Sequence, residues 1–134
     1  MKKTYTILLT LIMVITVCMP AMAGTKVNIT IPKNQVWSTK KSDSRTGYNG
    51  YVSARCHSVY PESGTDNFSK IQCRVVSSSG NVMVEKSYYV LSESASAATD
   101  MNIKDGYFNL KTVYFQFRGN SSDAANAVVS YYGR

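Results

Sequence analysis

His57 is the only imidazole in the chain and follows Cys56 directly, so any histidine-driven proton transfer would depend wholly on this one position. Serines are plentiful as partner nucleophiles, but no spacing singles one out. Cys56, His57 and Cys73 together suggest zinc. However, consecutive residues of a strand point to opposite faces, and three ligands leave a structural site open. Asp100-Met101-Asn102-Ile103-Lys104-Asp105-Gly106 opens like a calcium-binding loop. Lys104 takes the third oxygen position, though, the glycine falls one place late, and Lys111 stands where a bidentate glutamate is needed. The 8 Asp and Glu residues form no pair of the kind a glycosidase requires. No phosphate-binding glycine loop, dinucleotide fingerprint or nucleophile elbow occurs. The sequence therefore predicts no catalytic residue, no metal site and no cofactor.

What positions the remaining candidates begins after an export signal. Lys2 and Lys3 precede an apolar run from Ile7 to Cys18 that ends in Pro20-Ala21-Met22-Ala23, a pattern predicting a secretory signal peptide over residues 1–23. As a helix, the apolar run would reach only about 18 Å into a hydrocarbon core about 30 Å thick. It is too short for an anchor. Cys18, between Val17 and Met19, lacks the small preceding residue of a lipidation site. Of the 134 residues, 44% are hydrophobic and 17% charged, which is ordinary globular composition. Removing residues 1–23 takes away Lys2, Lys3 and Cys18, leaving 13 Lys plus Arg against 8 Asp plus Glu and an even pair of cysteines. In an oxidising compartment this pair predicts a Cys56–Cys73 disulfide, which would stabilise a domain of this size by ~3 kcal/mol.

Residues 24–134 are expected to form a single secreted β domain. Apolar residues alternate with period two, as in Val27, Ile29 and Ile31, and the first strand ends at Pro32. A second, weaker strand is expected from Gln35 to Thr39 around Trp37, and Lys40 to Gly50 reads as a basic surface loop carrying Lys40, Lys41 and Arg45. Tyr51 to Tyr60 and Phe68 to Ser77 flank a run of turn residues centred near Gly64 and Thr65. Symmetric pairing about that centre sets Cys56 opposite Cys73, at a separation a disulfide accepts. It also puts Val52, Ala54, Cys56, Ile71, Cys73 and Val75 on one apolar face. Ser78-Ser79-Gly80-Asn81 supplies the next turn, with Val75 opposite Val84, Ile71 opposite Tyr88 and Arg74 opposite Glu85. Ser92 to Thr99 is a loop by composition, and Met101 to Leu110 contains a short strand broken at Asp105-Gly106. A last hairpin joins Thr112–Arg118, with Val113, Phe115 and Phe117 inward, to Ala127–Tyr132, where either Val128 or Val129 is the buried residue. The expected fold is all-β, a small antiparallel β-sandwich of about seven strands, with a small open β-barrel as the next choice.

The outward side of the disulfide hairpin then carries the binding candidates: Arg55 opposite Arg74, His57 opposite Gln72, and Val59 opposite Lys70. Like charges set directly opposite one another are destabilising, so Arg55, His57, Lys70 and Arg74 suggest an anion-binding patch. Trp37, Tyr48, Tyr51 and Tyr114 are the candidate exposed rings, suited to sugar stacking or protein contact. Asn28, Asn67 and Asn120 head glycosylation acceptor triplets that a bacterial export route leaves unmodified.

In its export signal, its cationic and Tyr-rich composition and its strand-turn-strand ending at Tyr131-Tyr132, the chain resembles secreted bacteriocins of the lactococcin 972 type. That resemblance implies a cationic antimicrobial as one function. The residues themselves favour another: a secreted or envelope-associated, non-enzymatic β-sandwich exported by the general secretory pathway. Its partner would be an anionic cell-envelope polymer, a carbohydrate or an extracellular protein. Nucleic acid and a stable membrane span after processing are not expected.

Overall fold

The computed structural model describes residues 25–45, 50–61, 69–119 and 123–134. The predicted signal peptide, Tyr48, the turn centred at Gly64 and the Asn120 acceptor lie outside these residues. Among the described residues eight strands run in chain order: β1 (Val27–Ile31), β2 (Lys41–Ser44), β3 (Tyr51–Pro61), β4 (Lys70–Val76), β5 (Tyr89–Ser92), β6 (Thr99–Asn102), β7 (Thr112–Arg118) and β8 (Ala125–Tyr132), with a 3-10 turn at Asp105–Tyr107 between β6 and β7. They form two four-stranded antiparallel sheets, ordered β1-β8-β3-β6 and β2-β7-β4-β5. The fold is the predicted β-sandwich. Its interior is filled by alternate residues of both sheets, including Ile31, Ile71, Leu91, Met101, Phe115 and Phe117, all nearly inaccessible. Each such side chain contributes roughly 1.5–3 kcal/mol through burial. Tyr131 enters the same core, its ring centroid 5.0 Å from that of Phe115. Val129 is the buried residue of its pair, with Val128 on the outer side.

Six of the seven connections cross from one sheet to the other, and only β4 and β5 are consecutive neighbours. This corrects the expected hairpins. β3 pairs with β6 and β8, and β4 with β5 and β7, so Cys56 lies opposite Val129 and Cys73 opposite Phe117 and Tyr89. The two cysteines belong to sheets stacked about 10 Å apart rather than to directly paired strands. Both are buried free thiols, and the predicted disulfide is absent. β7 and β8 likewise form no hairpin. After the turn at Ser77–Gly80, where Gly80 takes φ 94°, Val76 pairs with Val82. The chain then leaves β4 for the opposite sheet, where Val84 meets Ile103. Glu85 therefore reaches Asn102, 3.4 Å away, and not Arg74. The strand expected around Trp37 is instead β2, four residues later, within the segment read as a loop. Arg45 at its end is buried, donating to the carbonyls of Tyr107 and Phe108.

Two local features shape the surfaces. β3 bulges between Cys56 and Ser58, leaving His57 without a cross-strand partner on β8. The bulge shifts the inward phase from Val52, Ala54 and Cys56 to Val59, which packs on the core instead of facing out. At the C-terminus, the Gly133 amide donates to Asp43 Oδ2 at 2.6 Å, pinning the tail to β2.

Candidate functional site

The outward residues of β4 include Lys70, Gln72 and Arg74, and those of β7 are Thr112, Tyr114, Gln116 and Arg118. The register sets Gln72 opposite Arg118 and Gln116 opposite Arg74. Each arginine bonds the amide facing it: Arg118 Nε donates to Gln72 Oε1 at 2.7 Å, and Arg74 Nε and Nη2 donate to Gln116 Oε1 at 3.1 and 2.9 Å. Gln116 in turn donates through Nε2 to the Ser38 carbonyl at 2.8 Å, and Ser38 exchanges bonds with the Phe117 backbone. These contacts tie the segment before β2 to β7. Asn34 and Gln35, with φ 59° and 58°, provide the left-handed turn that brings the chain there from β1.

Trp37 is thereby held against both guanidinium carbons, each 4.4 Å from the indole centroid. The two charges can be no further apart than twice that distance. Arg118 also lies 5.4 Å from the Tyr88 ring, and Lys40 lies 5.6 Å from the Tyr114 ring. Desolvation, and after it the like charge of Arg118, lowers the pKa of Arg74 from its ordinary value. Cation–π attraction of about 0.5–2 kcal/mol per contact offsets part of that cost. Among the described residues neither arginine has a carboxylate partner, and Glu93, like Glu85, is engaged elsewhere, on the Val59 amide at 2.9 Å. The glutamines orient the guanidiniums without neutralising them. Such a face attracts anions, and the guanidinium edges not bonded to glutamine suit carboxylate or phosphate oxygens.

The predicted cationic cluster is divided between the two sides of the sandwich. Lys70 and Arg74 are on this face with Trp37 and Tyr114, whereas Arg55, His57 and Tyr51 are on the outer face of β1-β8-β3-β6. The reason is the sheet change between β3 and β4, which removes the Arg55–Arg74, His57–Gln72 and Val59–Lys70 pairs. Trp37 is not a freely exposed ring, being half-buried against the arginines. Tyr51 is covered by Arg134, whose guanidinium carbon is 5.0 Å from its centroid. Sequence reasoning gave no binding role to Arg118, Gln72, Gln116 or Tyr88, although it set Gln72 on the outward side opposite His57. A signal for the first three was present: Gln72-Cys73-Arg74 and Gln116-Phe117-Arg118 repeat one polar-apolar-basic triplet in two strands.

On the opposite face, His57 Nε2 and Ser130 Oγ are 2.9 Å apart, a base-to-hydroxyl distance. Ser130, on the outward side of β8, is 5% exposed. Burial, then Arg55 and Lys26, lowers the His57 pKa from its usual value. Two clefts open along the β1 and β2 edge. One of about 380 Å³ is lined by residues including Asn28, Thr30, Thr39 and Lys41, and one of about 270 Å³ includes Asp43 and Tyr131. Neither contains the arginine pair or His57. Among the described residues no three His, Cys, Asp or Glu side chains gather as a metal site, and no helix is long and apolar enough to cross a membrane. No protein-family model matches the chain, and neither a curated protein nor a solved structure is significantly similar to it.

Proposed function

We propose that the chain is an exported, non-enzymatic binding protein whose β2-β7-β4-β5 outer face holds an anionic polymer of the cell envelope. The observation that carries this reading is the pair Arg74 and Arg118, both set against Trp37 and both without a carboxylate partner among the described residues. A pair serving only stability would gain more from a carboxylate than from an amide, because a carboxylate would neutralise the guanidinium and bond it through two oxygens, whereas an amide oxygen leaves its charge unopposed. Lys70 and Lys40 extend the positive field along the same face, and Trp37 and Tyr88 supply flat apolar surface beside it. A repeating polyanion engages such a face through several weak contacts at once, with an affinity that falls as salt screens the charges. Retention of the mature protein on purified, lipid-free cell wall, measured from low to high salt, tests the reading. Retention is expected at low salt, lost at high salt, and reduced at least tenfold in an Arg74→Gln/Arg118→Gln double variant. No retention at low salt, or unchanged retention by the double variant, defeats it.

A further inference from the structure

A second cluster of cations lies on the outer face of β1-β8-β3-β6, and it is organised around Ser130 on β8. Arg55 on β3 stands directly opposite Ser130. On the other flank, β1 pairs with β8 through Val27 opposite Val129, which brings Lys26, the residue just before β1, level with the same serine. The bulge turns His57 onto the serine hydroxyl at 2.9 Å. We propose that Arg55, His57 and Ser130, with Lys26 beside them, form a binding site for a phosphate-class oxyanion, distinct from the Arg74–Trp37–Arg118 face and on the opposite side of the sandwich.

Three observations support the site. The Arg55 Nε–H is buried and has no hydrogen-bond partner among the described residues. A buried donor left unpaired costs about 1–3 kcal/mol, and an acceptor brought by a ligand removes that cost. Second, the acidic groups nearest along these strands leave the cations unpaired: Asp100 stands opposite Ser53, diagonal to Arg55 on the same outward face, without an ion pair to it, and Glu93 accepts from the Val59 amide. No ion pair to Arg55, His57 or Lys26 forms among the described residues. Third, the donors converge from three adjacent strands or their ends, a spread that suits the several oxygens of a tetrahedral anion better than the two of a carboxylate. When His57 takes a proton, Nε2–H donates to Ser130 Oγ, and the serine hydrogen is freed to point at the anion. The repulsion that Arg55 and Lys26 exert on a protonated His57 is then replaced by attraction to the bound charge.

Because His57 is the only histidine, its ring resonances report on this site alone. The experiment is an NMR pH titration of His57 in the mature protein in inorganic phosphate, in acetate and in sodium chloride, at matched ionic strength. In phosphate the His57 pKa is expected to rise by about one pH unit over its value in chloride, since an opposite charge within 4–6 Å acts on that scale. Lys26→Gln, an exposed substitution outside every strand, is expected to halve the rise, and Arg55→Gln to abolish it. The Arg74→Gln/Arg118→Gln variant keeps the full rise, so this site and the polymer-binding face succeed or fail separately. Equal pKa values in phosphate and chloride reduce the effect to screening and overturn the proposal. An equal rise in acetate overturns the phosphate class, and a full rise in Lys26→Gln overturns the assigned residues even if Arg55→Gln fails to fold.

Discussion

Arg118 Nε donates a 2.7 Å hydrogen bond to Gln72 Oε1, the residue directly opposite it on the neighbouring strand. Two residues along, the arrangement repeats in reverse, with Arg74 donating to Gln116. Two copies of a Gln-x-Arg triplet laid antiparallel in this register place each guanidinium against an amide and never directly against the other. That avoids the penalty of directly opposed like charges, yet leaves the total charge intact. Amides fix the direction of a guanidinium without cancelling it. The side chains are therefore ordered before any anion arrives, which lowers the entropic cost of binding.

Single substitutions in this pair are expected to be mild for stability. Arg118→Gln loses two cation–π contacts, to Trp37 and Tyr88, and one hydrogen bond but relieves repulsion on Arg74, so the net change is within about 1–2 kcal/mol. Trp37→Phe weakens both ring contacts together and is expected to cost about 1–2 kcal/mol. Urea unfolding followed by circular dichroism measures both. A loss above about 3 kcal/mol for Arg118→Gln would match the breaking of a buried ion pair and contradict the absence of a carboxylate partner.

The two thiols are expected to be present and slow to react. Burial, with a smaller push from Glu93, raises the Cys56 pKa to about 11, and complete burial pushes Cys73 up further still. At pH 8 both are protonated, and the thiolate is the reactive form. A native protein comprising residues 24–134, which lacks Cys18, should therefore release almost no chromophore from Ellman's reagent over minutes, whereas the same protein in guanidinium should titrate two thiols. If the unfolded, unreduced protein titrates none, the cysteines are bridged.

Gly133 is needed for its lack of a side chain. A Cβ there would lie 2.5 Å from the Ser44 carbonyl oxygen and 3.3 Å from a Val113 methyl. Gly133→Ala must displace the tail from β2 and break the bond to Asp43, at an expected cost of about 1–3 kcal/mol. At Gly106 a methyl group would meet nothing within 4 Å, and the backbone has no positive φ. Gly106→Ala therefore serves as the control, expected within about 0.5 kcal/mol of the parent in thermal unfolding.

The strands were legible where burial follows a local alternation. Val27, Ile29 and Ile31 declare β1, and Val113, Phe115 and Phe117 declare the inner face of β7. β2 was not, because Lys41-Ser42-Asp43-Ser44 holds no large apolar residue; its strand exists through backbone pairing with β7. Partnership was also illegible. A turn sequence reports that the chain reverses, not whether it returns in the same sheet, and here nearly every connection changes sheet. The loss of the Arg55–Arg74 pair and of the disulfide both follow from that one ambiguity. The bulge was written in the spacing: the inward series Val52, Ala54, Cys56 resumes at Val59, three residues on, where an uninterrupted strand would resume at two.

His57 should make stability depend on pH in the mildly acidic range. Its folded pKa is lowered, by burial and then by Arg55 and Lys26, below the value of about 6.5 it takes in the unfolded chain. Between the two values the unfolded state binds more protons, so stability rises with pH there. The contribution is fully present above pH 6.5 and is lost as the pH falls through the folded pKa. Since Asp and Glu residues titrate lower in the same direction, the informative quantity is the difference between the parent and His57→Gln, which keeps a partner for Ser130. Denaturant midpoints from pH 8 to pH 5 should fall more steeply for the parent than for the variant. Parallel curves would mean that burial, Arg55 and Lys26 together leave the imidazole's proton affinity unchanged on folding, and a shallower fall for the parent would mean that its proton is held more tightly in the fold than in the open chain.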